Sequence, residues 1–285
     1  MEPEEQYLDV DGARLCWQSY GDSADPCLLL VGGAACAMDW WDDDLCRILA
    51  DRARRVVRYD HRDTGRSSCD PPGAPTYDGG ALDADCVALA RHLGPSPVHL
   101  VGLSMGGGIA QTVALRHPEL VATLTLASTS PVGGVDAELP GPLPAVAATF
   151  EAEPSETDWS DPGAVAERLV EAERPFAGTL GFDEERVRRT AARVAQRSAI
   201  PASAENHWLV LGSGDGDDLD VTRIQAPTLV VHGGADPLFP RAHGEALAAA
   251  IPGASLVVLD GVGHEYPPPR TWARFADVLL AHTGG

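Results

Sequence analysis

Lysine is absent from this 285-residue chain: every one of its 21 basic residues is arginine. Together with the abundance of Ala, Gly and Pro, that absence reads as GC-rich coding and carries no function. Positive charge is scarce as well. The 42 acidic residues leave a formal net charge of −21, which repels phosphate backbones and anionic lipid surfaces and excludes nucleic acid and membranes as expected partners. The opening Met1-Glu2-Pro3-Glu4-Glu5 lacks both the cationic start and the apolar run of a signal peptide, so a cytoplasmic location is expected. The six cysteines (Cys16, Cys27, Cys36, Cys46, Cys69, Cys86) contain no C-x-x-C pair and no zinc-like spacing; reduced thiols and no metal centre are expected. The 30 Gly and 23 Pro follow no period, which removes collagen-like and broadly disordered readings.

What is present is an alternation of short apolar runs with helical stretches, the pattern of a mainly parallel sheet covered by helices. Eight strands are predicted: Tyr7–Val10, Arg14–Ser19, Cys27–Val31, Val56–Tyr59, Val98–Val101, Ala122–Ala127, Thr228–Val231 and Leu256–Leu259. Asp11-Gly12 marks a hairpin between the first two. Helices are expected over Trp41–Asp51, Gly80–Leu93, Met105–His117, Pro240–Ala250 and Thr271–His282. Between residues 131 and 220 the alternation stops, and amphipathic segments at Leu143–Glu151, Pro162–Glu173 and Glu184–Ala199 replace it. The expectation is an α/β core formed by residues 1–130 and 221–285 with a helical cap inserted at 131–220. The Gly- and Asp-rich tract Gly212–Asp220 lacks the full spacing of a calcium loop and reads as a solvated hinge.

Gly102-Leu103-Ser104-Met105-Gly106 is a G-x-S-x-G pattern. The pattern is short, but the run Val98-His99-Leu100-Val101 precedes it and a helix with Gly106, Gly107 and Gly108 in its first turn follows. A nucleophile elbow requires that context, because the serine sits on a strained strand-to-helix turn that only small neighbours permit. The competing role for Ser104 is a helix N-cap. A serine hydroxyl is a weak nucleophile until a base accepts its proton, and His264, in the loop Gly261-Val262-Gly263-His264 after the last strand, is the best of nine histidines. His61, His207 and His232 remain rivals. Asp236, at the tip of the seventh strand, is the expected acid, with Asp260 as runner-up; the order Ser, Asp, His matches the fold. One oxyanion donor is the N–H of Met105, and the second lies in the loop Val31-Gly32-Gly33-Ala34-Ala35.

These segments, with Tyr59-Asp60-His61-Arg62-Asp63-Thr64-Gly65-Arg66-Ser67 and His232-Gly233-Gly234-Ala235-Asp236-Pro237-Leu238-Phe239-Pro240, resemble the α/β-hydrolase family along nearly the whole chain. The stretch from Tyr59 is most similar to the esterase branch that includes aclacinomycin methylesterase, whose members demethylate polyketide esters. One departure is Gly32-Gly33, where a His-Gly pair is common. The resemblance implies a triad of Ser104, Asp236 and His264, with Ala34 and Met105 as oxyanion donors. Hydrolysis of a bulky, moderately apolar small-molecule ester through an acyl-serine is the expected reaction, and it requires no cofactor. The same triad also serves thioester and C–C bond hydrolysis, and a binding protein or non-hydrolytic cyclase is the alternative of another class. Trp40 and Trp41 beyond the oxyanion loop, and Phe150 and Trp208 in the cap, are candidate pocket residues. Oligomeric state is not legible.

Overall fold

The computed structural model describes residues 3–136, 138–152, 156–213 and 218–284. All eight predicted strands form: β1 (Gln6–Val10), β2 (Ala13–Tyr20), β3 (Cys27–Val31), β4 (Arg55–Tyr59), β5 (Val98–Leu103), β6 (Val121–Ala127), β7 (Thr228–Gly233) and β8 (Ser255–Leu259). They make one sheet in the order β1-β2-β4-β3-β5-β6-β7-β8. Only β2 runs against the rest, pairing antiparallel with β1 and β4, while every other pairing is parallel. A parallel strand covered on both faces must be apolar throughout, and Leu28, Leu29, Leu30 and Val31 of β3 are fully buried.

Alternate residues of the central strands feed two cores, one on each face of the sheet. Leu28, Leu30, Val101 and Leu103 pack with α1 (Asp43–Ala50), and Leu29, Val31, Val98 and Leu100 pack with α2 (Gly79–His92) and α3 (Met105–Arg116). The predicted start of α1 at Trp41 is two residues early. Asp42 is its cap, accepting the Asp44 N–H, and Trp41 is extended.

Between β6 and β7 the chain runs through α4 (Pro144–Glu151), α5 (Pro162–Glu173), α6 (Glu184–Arg197) and the short α7 (His207–Val210). The expected continuation of α6 to Ala199 fails, because Ser198 is already extended. The acidic excess serves helix starts directly: Asp78, Asp161 and Asp183 accept the N–H groups of Ala81, Gly163 and Arg186, where a carboxylate also meets the positive end of the helix dipole. After β7, α8 (Ala242–Ala250) covers the second face and α9 (Trp272–His282) the first. Of the tract expected as a hinge, residues 214–217 lie outside the described residues, and Asp220 caps a helical turn at Val221–Arg223. All six cysteines are free. Among the described residues no helix is long and apolar enough to cross a membrane.

The helices between β6 and β7 meet the sheet's carboxyl edge through buried charge. Arg193 of α6 pairs with Asp39 and Asp43 at 2.8 Å each, and Arg197 pairs with Asp39 at 3.3 Å and with Asp60 at the end of β4. Asp60 also accepts the N–H groups of Met38 and Arg66, yet burial pushes its pKa up to about 6 against the pull of Arg197. A buried carboxylate stripped of its partner is strongly destabilising, so Arg197→Met is expected to cost about 3–5 kcal/mol of unfolding free energy. Because the folded-state pKa of Asp60 is raised, stability falls as pH rises through it; the deficit of the variant should therefore be largest above about pH 6 and shrink toward about pH 4. Denaturant unfolding of both proteins across that range checks this, and a deficit below about 1 kcal/mol would assign the pair to the weak surface class.

Candidate active site

Strand β5 ends at Leu103 and α3 begins at Met105, so Ser104 alone makes the turn between them. Its backbone is held at φ 54° and ψ −119°, a region that a non-glycine residue occupies only where its surroundings over-determine it. Those surroundings are tight. A methyl group added at Gly102 would lie 2.1 Å from the Gly106 carbonyl oxygen, and one added at Gly106 would lie 2.4 Å from that of Val31. The Ser104 side chain makes no capping hydrogen bond to α3, which removes the helix-cap role. Its hydroxyl lies 2.9 Å from His264 Nε2 instead.

His264 stands in the loop after β8, and its Nδ1 lies 2.9 Å from Asp236 Oδ2. The other carboxylate oxygen of Asp236 accepts the N–H groups of Leu238 and Phe239 at 2.9 and 2.8 Å. One oxygen is thus held by its own turn and the second faces the imidazole. Burial works to raise the Asp236 pKa, but the charge of His264 and these hydrogen bonds outweigh it and leave the carboxyl below its ordinary value. An ionised Asp236 keeps the proton on Nδ1, so that Nε2 presents a lone pair to the serine. Asp260 lies at the exposed turn after β8 and makes no hydrogen bond or ion pair with His264.

The loop after β3 passes beside the elbow, where a methyl group at Gly33 would be 3.6 Å from Ser104 Cβ. Its polar groups are bound one after another. Gly32 C=O accepts from His61 Nε2 at 3.1 Å, Gly33 N–H donates to Tyr266 Oη at 2.8 Å, and Ala35 N–H donates to His207 Nδ1 at 2.9 Å. Ala34 N–H, and Met105 N–H at the start of α3, have no hydrogen-bond partner among the described residues. Two unengaged donors beside a serine hydroxyl, within a Ser-His-Asp chain, are the parts that acyl transfer needs.

A family model described as the alpha/beta hydrolase fold matches residues 25–266. The chain belongs to the alpha/beta hydrolase family. Rhodomycin D methylesterase of Streptomyces peucetius is 32% identical to it, covering 96% of each chain, and that of Streptomyces sp. strain C5 is 30% identical over 97% of each. A crystal structure of a hydrolase from Pseudomonas aeruginosa PA01 superposes with a TM-score of 0.72 at 29% identity, covering 99% of both chains. The resemblance to the methylesterase branch is thereby shown.

The remaining expected residues of this hydrolase fall into two groups. Trp40 and Trp41, expected to line a pocket, are 6% and 1% exposed and pack on Tyr266 at ring distances of 6.3 and 5.0 Å. They support the tyrosine that holds Gly33. Phe150 and Trp208 are 53% and 45% exposed and meet each other edge to face at 6.1 Å. The rings flanking His264 are Phe176 at 5.8 Å and Phe239 at 5.4 Å. Sequence reasoning passed over Phe239 and Tyr266, although each lies within three residues of a triad position. It also passed over Glu173 at the end of α5, whose carboxyl burial pushes up to about 7, with His264 and Arg186 pulling it down. The rival histidines hold backbone: besides His61 and His207, His232 Nε2 donates to Phe239 C=O at 2.8 Å. No group of three or more His, Cys, Asp or Glu converges as a metal site would among the described residues.

Asp236→Asn keeps the shape of the acid but favours the wrong imidazole tautomer, and the expected loss in kcat is about 10⁴-fold. Asp260→Asn should stay within about threefold of the parent, as a surface change does. Ester turnover from pH 6 to 9, with circular dichroism on both variants, distinguishes them. The reverse ranking would move the acid to Asp260.

Proposed function

We propose that this chain is a serine hydrolase that cleaves a carboxylic ester through an acyl-Ser104 intermediate. The observation that carries the reading is the 2.9 Å contact between Ser104 Oγ and His264 Nε2 at a strained turn where the serine caps nothing. His264 Nε2 takes the hydroxyl proton as Oγ attacks the ester carbonyl carbon, and the carbonyl oxygen, now negative, accepts the Ala34 and Met105 N–H groups. When the C–O bond breaks, the imidazolium returns that proton to the leaving alcohol. Water then enters, gives its proton to His264, and attacks the acyl carbon; the proton passes to Ser104 Oγ as the carboxylic acid departs. Asp236 stabilises the imidazolium in both halves.

The substrate class rests on the relatives: both methylesterases named above act on rhodomycin D by their names, so a methyl ester on a bulky polycyclic polyketide is proposed. The division into a core of 1–130 and 221–285 and a cap of 131–220 belongs to the same reading. The buried contacts of α5 and α6 with Trp40, Trp41 and Tyr266 support it. In that arrangement the exposed pair Phe150 and Trp208 supplies apolar rim surface for a ring system.

Fluorophosphonate labelling combined with a methyl-ester panel tests both levels. The wild-type protein should label at Ser104 and release methanol faster from polycyclic than from small esters. Ser104→Ala should fold normally and lose at least about 10⁴-fold in kcat. Trp208→Ala should reduce turnover of bulky esters while leaving the labelling rate unchanged, since the probe does not use remote contacts. Labelling without turnover of any methyl ester would remove the substrate class and retain the nucleophile. Unchanged turnover in Ser104→Ala would remove the mechanism.

A further inference from the structure

A side chain of the segment between β6 and β7 bonds to the loop after β3. His207, the first residue of α7, is fully buried and uses both ring nitrogens on backbone. Nδ1 accepts the Ala35 N–H at 2.9 Å, and Nε2 donates to the Arg62 carbonyl at 2.8 Å. Those two partners define a neutral imidazole with its proton on Nε2, since a second ring proton would face the Ala35 N–H donor to donor. Burial also disfavours the charged form.

The ring is itself well anchored. Its neighbour Asn206 donates to Asp63 Oδ2 at 2.9 Å and accepts the Gly73 N–H at 2.7 Å. Arg62, whose carbonyl holds Nε2, is fixed by an ion pair with Asp85 at 2.6 Å. At the other end of the contact, Ala35 sits at φ 57°, a left-handed backbone that an alanine keeps only when its neighbours hold it there. The Ala35 N–H is the next amide after that of Ala34, and Gly33 on the other side is fixed by Tyr266. The direction of the unengaged Ala34 N–H is therefore set by its two bound neighbours. One of the two bonds comes from the core and the other from the inserted segment.

We propose that His207 is the positioning residue of the oxyanion loop, using its Nδ1 lone pair on Ala35 to aim the Ala34 N–H at the reacting carbonyl oxygen. This inference rests on the acyl-serine reading above. It makes transition-state stabilisation depend on α7 being seated against the core, so the segment over the site takes part in the chemistry as well as in shaping a pocket. His207 touches no reacting atom; its effect on rate passes through Ala35 and Ala34.

Three substitutions separate this role from simple anchoring. In His207→Asn the side-chain oxygen falls near the place of Nδ1 and can accept the Ala35 N–H, while the tie to Arg62 is lost. In His207→Gln the terminal amide falls near Nε2 and can keep the Arg62 tie, leaving Ala35 unpaired. His207→Ala removes both. The measurements are kcat and KM on a p-nitrophenyl ester, the dissociation constant of an arylboronic acid that forms a tetrahedral adduct on the serine, and the melting temperature of each variant.

Positioning predicts that His207→Gln and His207→Ala lose about 10- to 100-fold in kcat and a similar factor in boronate affinity, with KM within about threefold. His207→Asn should stay within about threefold of wild type on both readouts. Equal losses in Asn and Gln, a Gln variant more active than Asn, or boronate affinity unchanged in Gln would overturn the proposal. Should His207→Ala fail to fold, the Asn–Gln comparison decides the question. Failure of the underlying reading looks different: the wild-type protein would then neither hydrolyse the ester nor bind the boronate.

Discussion

The backbone at Ser104 is the constraint on which the rest of the site depends. A left-handed turn at a non-glycine residue costs of order 1–3 kcal/mol, and here it holds because β5 and α3 grip it from both sides. Gly102 lets the strand end approach the first turn of α3, and Gly106 lets that turn approach β3, more closely than any side chain would allow. Thr129 reinforces the turn from β6, donating its hydroxyl to the Ser104 carbonyl at 2.8 Å. The result is a side chain that cannot cap its own helix and must find its partner across the sheet edge, in the loop that carries His264. The amide that starts α3 is left unengaged by the same geometry, so the proposed nucleophile and the proposed oxyanion donor come from one local event.

A second regularity concerns the histidines. His61, His207 and His232 each spend a ring nitrogen on a carbonyl of a loop near the site, and burial lowers the pKa of all three, that of His61 to about 3. Neutral and fixed, they act as struts. His264 differs in that both of its ring nitrogens meet side chains, a carboxylate and a hydroxyl. Its backbone is also held from the inserted segment, because the His264 N–H donates to Phe176 C=O at 2.8 Å and the Leu180 N–H to Gly261 C=O at 3.0 Å. The segment between β6 and β7 is therefore bonded both to the loop that carries His264, through backbone, and to the loop after β3, through His207.

The centre of the sheet was legible because β3, β5 and β7 are buried along most of their length and read as apolar runs, and its edge because Asp11-Gly12 marks the turn between β1 and β2. Ser104 and His264 drew attention in the sequence because a strained turn and a loop after the last strand each leave a glycine signature around one chemical residue. Less of the surrounding shell could be read. Trp40 and Trp41 pack against the ring of Tyr266, and that contact joins segments more than two hundred residues apart, beyond the reach of any local pattern. The role of His207 depends on the left-handed turn at Ala35, which no local pattern announces. Element ends shifted where capping decided them: Asp42 starts α1 later than the apolar periodicity suggests, and Ser198 ends α6 early.

The central claim is that an ester's acyl group passes through Ser104 before it reaches water. Rapid quenching of the protein with an activated p-nitrophenyl ester, followed by peptide mass spectrometry, observes that passage directly, because acylation by such esters outruns deacylation. The account predicts a burst of one nitrophenolate per chain and the acyl mass on the peptide that contains Ser104. Acyl mass on another residue, or turnover persisting at the wild-type rate in Ser104→Ala, would contradict it.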